Sequence, residues 1–320
     1  MKAIVRTNYG PPEVLEIKDI PTPNPKADEV LVRVYTTTVN RTDCAILTGR
    51  PWVMRLFVGV FKPRQVVAGT DFAGQVEAVG KNVSSFKMGD RVWGFYDEGL
   101  SSHSQFMVIK ENKTIAKIPD NVTYSDAVAS GEGAHYAINL MKKISLKPDA
   151  NVIINGSTGA IGTAALQLLK NENSRVTAVC DTKNISLIES LGADKIIDYT
   201  KQDFTDDSEQ YDFILDTIGN SSFKKIKHLL KDKGVYISSE LGPNAENLYL
   251  PLITKIKGGK RVKFPIPTDC KKSILMMTEL LKLGKFKPVI DRTYPMEEIA
   301  KAYTYVMKGH KTGNVIIDFK

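Results

Sequence analysis

Apolar and polar positions change rhythm once along this chain, near Tyr124. Before that point the pattern is a two-residue alternation in short runs. Residues 1–6 and 14–17 alternate on either side of the turn Asn8-Tyr9-Gly10-Pro11-Pro12. A proline-punctuated loop at 21–25 leads to a run at 29–35, and further strands are predicted at 72–79, 91–95 and 106–109. Short strands with frequent Gly turns predict a compact, barrel-like β unit.

Beyond Tyr124, helical spacing begins at 125–129 and resumes at 135–143. Strands are then predicted at 151–155, 175–180, 195–197, 211–216, 233–239 and 261–266, with helical segments between them, including 184–191 and 222–230. Such alternation predicts a parallel sheet covered on both faces, and six strands complete a doubly wound dinucleotide domain. After Pro267 come amphipathic helices at 271–283 and 296–307 and a closing strand at 314–319. Two helices separate that strand from the parallel set, so it is expected to return to the N-terminal β unit. The predicted class is α/β, with residues 1–130 plus 267–320 forming one domain and 131–266 the other.

One turn carries candidate chemistry. The apolar run 152–154 enters Gly156-Ser157-Thr158-Gly159-Ala160-Ile161-Gly162, and a helix-forming segment follows at once. Glycine permits a sharp turn and close approach of a ligand, and the helix start offers N–H groups and a positive dipole end to phosphates. An acidic residue at the end of the next strand binds ribose hydroxyls in such sites. Asp181 stands there, nineteen residues after Gly162.

Composition narrows the partners. At 320 residues, 42% hydrophobic and 25% charged, the chain is long enough for two domains. No apolar run reaches membrane-spanning length and no secretory leader is visible at the N-terminus, so the cytoplasm is the expected address and no membrane partner is expected. Three scattered cysteines, Cys44, Cys180 and Cys270, argue against a disulfide framework and a Cys-rich zinc site. The net charge of +8 is spread over many lysines without a nucleic-acid motif, which suits a solvated surface that favours anionic cofactors.

Several separated segments share one further likeness: Tyr9-Gly10-Pro11-Pro12-Glu13-Val14-Leu15, Val39-Asn40-Arg41-Thr42-Asp43, Gly69-Thr70-Asp71-Phe72-Ala73-Gly74, Gly89-Asp90-Arg91-Val92, the glycine turn, and Ser190-Leu191-Gly192-Ala193-Asp194. In combination they resemble the medium-chain dehydrogenase/reductase superfamily, in its zinc-independent quinone oxidoreductase branch. The resemblance implies a GroES-like β domain with an inserted Rossmann domain. It also implies hydride transfer from NAD(P)H to a quinone or an α,β-unsaturated carbonyl. Zinc relatives carry ligands at positions that are here Asn40, Thr70 and the Ser130–Gly131 region, and four closely spaced cysteines that are missing here, so no metal is expected.

The resemblance further implies site residues. Asn40 and Tyr96 are the catalytic candidates, Asn40 by hydrogen-bonding an acceptor oxygen or the cofactor ribose and Tyr96 by lining the pocket or donating a proton. Asp43 and Asp71 are expected to pair with a basic group, and His103 and His135 to serve as scaffold. Residues 156–162 are expected to cradle the pyrophosphate. Asp181, Lys183, Tyr199, Thr217, Ile218, Leu241 and Phe264 are expected at the rest of the cofactor, with Lys311 and Asn314 reaching back to it. Asp181 favours NADH, whereas Lys183 and Tyr199 favour NADPH; NADPH is the expected cofactor and NADH the alternative. A homodimer through the last Rossmann strand is implied as well. The stretch 51–61 reads either as an apolar lip over substrate or as a core helix. Two other functions stay open: a zinc-free alcohol or aldehyde dehydrogenase, and a nucleotide-binding protein with little turnover.

Overall fold

The computed structural model describes residues 1–319. The chain divides into two units, Met1–Glu132 with Asp269–Lys320, and Gly133–Thr268. Each boundary falls two residues beyond the expected one.

The first unit opens with a hairpin of β1 (Lys2–Val5) and β2 (Glu16–Asp19). The long β3 (Glu29–Val39) then pairs with β4 (Asp71–Val79), which pairs with β5 (Arg91–Phe95). Helices α1 (Arg41–Thr48) and α2 (Met54–Val58) stand between β3 and β4 in sequence. Strands β6 (Phe106–Lys110) and β7 (Ala116–Lys117) add to β3 and β5, and α3 (Tyr124–Ala129) follows. The alternation predicted a half-buried sheet. Val30, Val32, Val34, Phe72, Val76 and Val92 indeed point into one core.

The second unit begins with α4 (Glu132–Met141) and β8 (Asn151–Asn155). It continues through α5 (Ala160–Asn171), β9 (Arg175–Cys180), α6 (Ile185–Ser190), β10 (Lys195–Asp198), β11 (Tyr211–Asp216), α7 (Phe223–Ile226), β12 (Leu230–Ser238), α8 (Glu246–Lys257) and β13 (Arg261–Lys263). The six strands are parallel in the order β10-β9-β8-β11-β12-β13. That order reverses direction between β8 and β11, the crevice where a doubly wound sheet takes its ligand. β13 stops at Lys263, short of the expected 266, because Pro265 and Pro267 cannot donate to a ladder.

The chain returns to the first unit through α9 (Cys270–Lys282), β14 (Ile290–Pro295), α10 (Ile299–Met307) and β15 (Asn314–Asp318). β15 pairs antiparallel with β3, carrying β14 on its other edge. Helix α10 buries Ile299, Tyr303 and Val306 against Ile4, Leu47 and Ile317.

Candidate active site

The carboxyl ends of β8, β9, β10, β11 and β12 form one rim, because Asn155 is in register with Val179 and Asp216, Cys180 with Asp198, and Asp216 with Ser238. The rim collects the predicted cofactor residues of the second unit. Gly156 turns the chain at φ +88°, where a Cβ would meet Ile218 Cγ1 at 2.3 Å. Gly162 sits against the turn, with its ideal Cβ 2.1 Å from Gly156 O. Gly159 differs: a Cβ there would meet nothing nearer than Gly156 O at 3.9 Å. Its face is open. Gly159 is also the N-cap of α5, so the N–H groups of Ala160, Ile161 and Gly162 have no intrahelical acceptor. An open cradle above three such donors fits an anionic pyrophosphate.

Ser157 is corrected in role. Its N–H and its hydroxyl both donate to Val179 O, at 3.1 and 2.7 Å, so it ties the turn to β9 and offers no donor outward. Thr158 is half-buried beside it. Thr217 donates to Asn155 O and Gly156 O, both at 3.0 Å, which ties the end of β11 to the same turn. Ile218 is 45% exposed next to it. Leu241 and Phe264 are half-buried, beyond the ends of β12 and β13.

Asp181 follows β9 and accepts from Asn184 Nδ2, and its carboxylate lies 3.4 Å from Lys183 Nζ. Lys201 pairs instead with Asp198 at 3.5 Å. Asp198 is held well ionised, at about 2, first by the Thr182 hydroxyl, with Thr200 and Lys201 adding to it. The exposed Tyr199 ring stands between these groups in sequence, its phenol raised by burial.

Sequence reasoning missed the brace beneath this rim. Asp216 is fully buried and accepts from Asn155 Nδ2 (3.0 Å), Gly219 N (2.9 Å), Ile218 N (3.2 Å) and the Tyr236 hydroxyl (3.0 Å). A lone Asp at a strand end carries no signal of four partners drawn from two other strands and a loop.

In the first unit, Asn40 caps α1. Its Oδ1 accepts from Asp43 N at 2.8 Å while Asp43 accepts from Asn40 N, a reciprocal capping box. Its Nδ2 donates to Thr70 Oγ1 at 2.8 Å and approaches Thr38 Oγ1 and Asp71 Oδ2, each at 3.3 Å. Asn40 is 2% exposed. With its amide N–H groups committed, it is a positioning residue here, a correction of the expected contact with an acceptor oxygen. Asn40-x-x-Asp43 has the spacing of a helix cap, but α1 was not among the elements expected from the sequence.

Asp43 and Asp71 do not pair with a basic group as expected. Asp71 accepts from the Thr37 hydroxyl (2.9 Å), Thr38 N (2.7 Å) and the Thr38 hydroxyl. Burial raises Asp71 to about 6 and Asp43 well above the usual carboxylate range. Glu132, unnoticed in the sequence, is a third buried carboxyl, raised by burial, and accepts from Thr42 N and the Thr42 hydroxyl. Lys311 lies in this unit with its amine on Gly313 O, pushed down by burial while Glu132 pulls the other way. Asn314 donates to Val289 O at 3.0 Å. Both residues are thus engaged locally rather than reaching outward.

His103 is fully buried and held down to about 4 by burial. Its Nε2 stands 2.9 Å from Thr38 O, which can only accept, so the proton sits on Nε2 and Nδ1 faces the Tyr303 hydroxyl at 3.4 Å. His135 is buried in α4, next to Asn139. Tyr96 is half-buried on a cavity of about 540 Å³ lined also by Ile20, Val67, Leu100 and Phe106, and burial raises its phenol. Segment 51–61 is not a core helix: Trp52, Leu56, Phe57 and Phe61 are exposed.

The comparisons agree with this architecture. Residues 26–132 match the alcohol dehydrogenase GroES-like domain family, and residues 191–317 match the zinc-binding dehydrogenase family. The chain is 31% identical over 333 residues to the chloroplast envelope quinone oxidoreductase homolog of Arabidopsis thaliana, covering 99% of this chain and 98% of that protein. It is 28% identical over 328 residues to the NADPH-dependent alkenal/one oxidoreductase of the same plant, covering 99% and 79%. The quinone oxidoreductase structure from Coxiella burnetii superposes with a TM-score of 0.88 at 22% identity, over 100% of this chain and 99% of that one, a likeness of fold. A GroES-like unit, a parallel sheet in dinucleotide-binding order and a full-length relative at this identity make the chain an oxidoreductase of the medium-chain dehydrogenase/reductase superfamily, in its quinone oxidoreductase branch.

Proposed function

We propose that the protein transfers hydride from NADPH, in preference to NADH, to a quinone or an α,β-unsaturated carbonyl, without a metal ion. The observation that carries the reading is the open cradle at Gly159 over the donors of Ala160, Ile161 and Gly162. When bound there, the nicotinamide cofactor supplies the hydride. The chain's own part is to hold the phosphates at the start of α5 and the adenosine ribose between Asp181, Lys183 and Tyr199. Lys183 beside Asp181 offsets the carboxylate that would otherwise repel a 2′-phosphate.

The residues at the positions where zinc relatives carry their ligands do not suit zinc. Asn40 and Thr70 are bonded to each other, the Ser130 hydroxyl donates to Asp126 O at 2.7 Å, and burial pushes the Cys44 thiol up, away from the thiolate a metal takes. Quinones and enones suit such a site, since they delocalise the incoming charge and need no Lewis acid. Tyr96, with its phenol raised, stays protonated through neutral pH and serves as a hydrogen-bond donor.

A homodimer is part of the reading. β13 is a sheet edge, and α8 beside it exposes Leu248, Leu252 and Ile256. An open edge flanked by an apolar helix face is covered by a second copy across a two-fold.

The test is fluorescence titration of chelator-dialysed protein with NADPH and NADH, followed by oxidation of the bound nucleotide on adding a small quinone or enone. Tighter NADPH binding with acceptor-dependent oxidation is expected. Asp181→Ser should then raise NADPH affinity by roughly tenfold, about 1.4 kcal/mol. Binding without oxidation by either acceptor class sinks the reductase reading. Preference for NADH, lost in Asp181→Ser, makes Asp181 the ribose ligand and moves the protein to NAD-linked chemistry.

A further inference from the structure

Between Asp43 and Asp71 the chain carries no Asp or Glu, but it carries Arg50, Arg55, Lys62 and Arg64. The same stretch exposes a run of large apolar side chains: Trp52 at 63%, Phe57 at 57% and Phe61 at 95%, with Leu56 and Val60 beside them. Exposed apolar residues scattered singly need no explanation; this many in ten positions do.

The segment is held in place. The Tyr9 hydroxyl donates to Gly59 O, and the Arg55 guanidinium lies 4.7 Å over the Tyr9 ring while its Nε donates to Gly49 O. Arg64 N closes the loop on Val58 O at 2.8 Å. Gly59 turns the chain at φ +125°, where a Cβ would meet Lys62 O at 2.1 Å. The fold therefore fixes the backbone and leaves the aromatic faces outward. Of the cationic side chains, Arg55 takes part in this anchoring through its guanidinium. Arg50, Lys62 and Arg64 form no ion pair with a carboxylate among the described residues.

We propose that residues 50–64 dock the protein peripherally on an anionic lipid bilayer. Trp52, Leu56, Phe57 and Phe61 enter the headgroup–acyl boundary, and Arg50, Lys62 and Arg64 meet the lipid phosphates. Aromatic rings with flanking cations are what that boundary accepts. α2 is only five residues long, and among the described residues no helix is long and apolar enough to cross a membrane, so the segment lies on the surface. A bilayer is favoured over a second copy by charge. A two-fold contact through this face would bring two sets of cations together with no carboxylate in the segment to offset them. The expectation of no membrane partner, drawn from the lack of a spanning run, does not reach a surface of this kind.

The test needs no turnover, so its failure is separate from that of the reductase reading. The chain has two tryptophans, and Trp93 is fully buried, so Trp52 reports on this face. Protein is titrated with vesicles of phosphatidylcholine alone and of phosphatidylcholine with phosphatidylglycerol. Anionic vesicles are expected to shift Trp52 emission to the blue, brominated acyl chains to quench it, and salt to weaken binding. Phe57→Asp with Phe61→Asp should lower vesicle affinity about tenfold or more, with Tm and NADPH binding unchanged. Absence of a shift on anionic vesicles overturns the proposal, as does unchanged vesicle binding by the double variant. So does a blue shift that grows with protein concentration without lipid, which would assign the face to a second copy.

Discussion

At the scale of single residues, His103 shows how burial turns a neutral side chain into a pH liability. The folded imidazole stays neutral down to about 4, whereas an unfolded histidine takes up a proton near 6.5. Between these values only the unfolded chain gains the proton, so this contribution to stability is present above 6.5 and lost as pH falls to about 4. Asp71 acts with the opposite sign. Raised to about 6 by burial, it binds a proton in the folded state first, so its contribution declines as pH rises through that range. The two oppose each other in the native protein. His103→Gln removes the first alone. The stability of the native protein relative to this variant should then fall by most of about 3 kcal/mol between pH 6.5 and 4. Urea denaturation across that range checks it; parallel profiles would mean His103 is protonated in the fold.

The glycine turn allows a second separation at this scale. Gly162→Ala forces a Cβ onto Gly156 O and should destabilise by about 1–3 kcal/mol. Gly159→Ala meets open space, so its melting temperature should stay within a degree or two of native while NADPH affinity falls. Equal loss of stability in both variants would show that Gly159 packs against protein rather than facing a ligand. The sequence spacing identified the three glycines together; which one faces open space was decided by where the neighbouring backbone lies.

Among the elements, α1 is the instructive case. Asn40-x-x-Asp43 is a helix start by its chemistry, and the structure uses it as one. Asn40→Ala should cost about 1–2 kcal/mol. Asn40→Ser should recover the cap but not the donation to Thr70 and Asp71, so its loss should be intermediate. Full stability of the alanine variant together with lost turnover would return Asn40 to a catalytic role. The strands of the parallel sheet were legible because strands buried on both faces read as unbroken apolar runs, as in Val152-Ile153-Ile154. α8 was not legible: Pro251 interrupts it and its apolar residues stay exposed, so it lacks a clean buried stripe. β14 was missed for a related reason, since Asp291, Arg292 and Thr293 give it no apolar face and only pairing with β15 makes it a strand.

For the whole molecule, the proposed dimer makes the sharpest demand. Leu252→Asp with Ile256→Asp places charges on the exposed face of α8 without touching a buried side chain. Light scattering is expected to report a monomer for this variant and a dimer for the native chain, with NADPH affinity unchanged. A native chain that is monomeric at micromolar concentration would remove the second copy from the reading.

Hydrophobic periodicity, turn chemistry and the glycine spacing are local, and they determined the six parallel strands, the two units and the place of the glycine turn. Local pattern also carried the absent zinc ligands, since an amide and a hydroxyl stand at those positions whatever the fold. Tertiary structure decided the rest. Ser157 faces inward to Val179, Asp216 gathers four donors, Asp71 and Glu132 become buried acids, and the face of Trp52 and Phe61 stays uncovered. Each of these depends on groups far apart in the chain, whose distances no window of neighbouring residues contains.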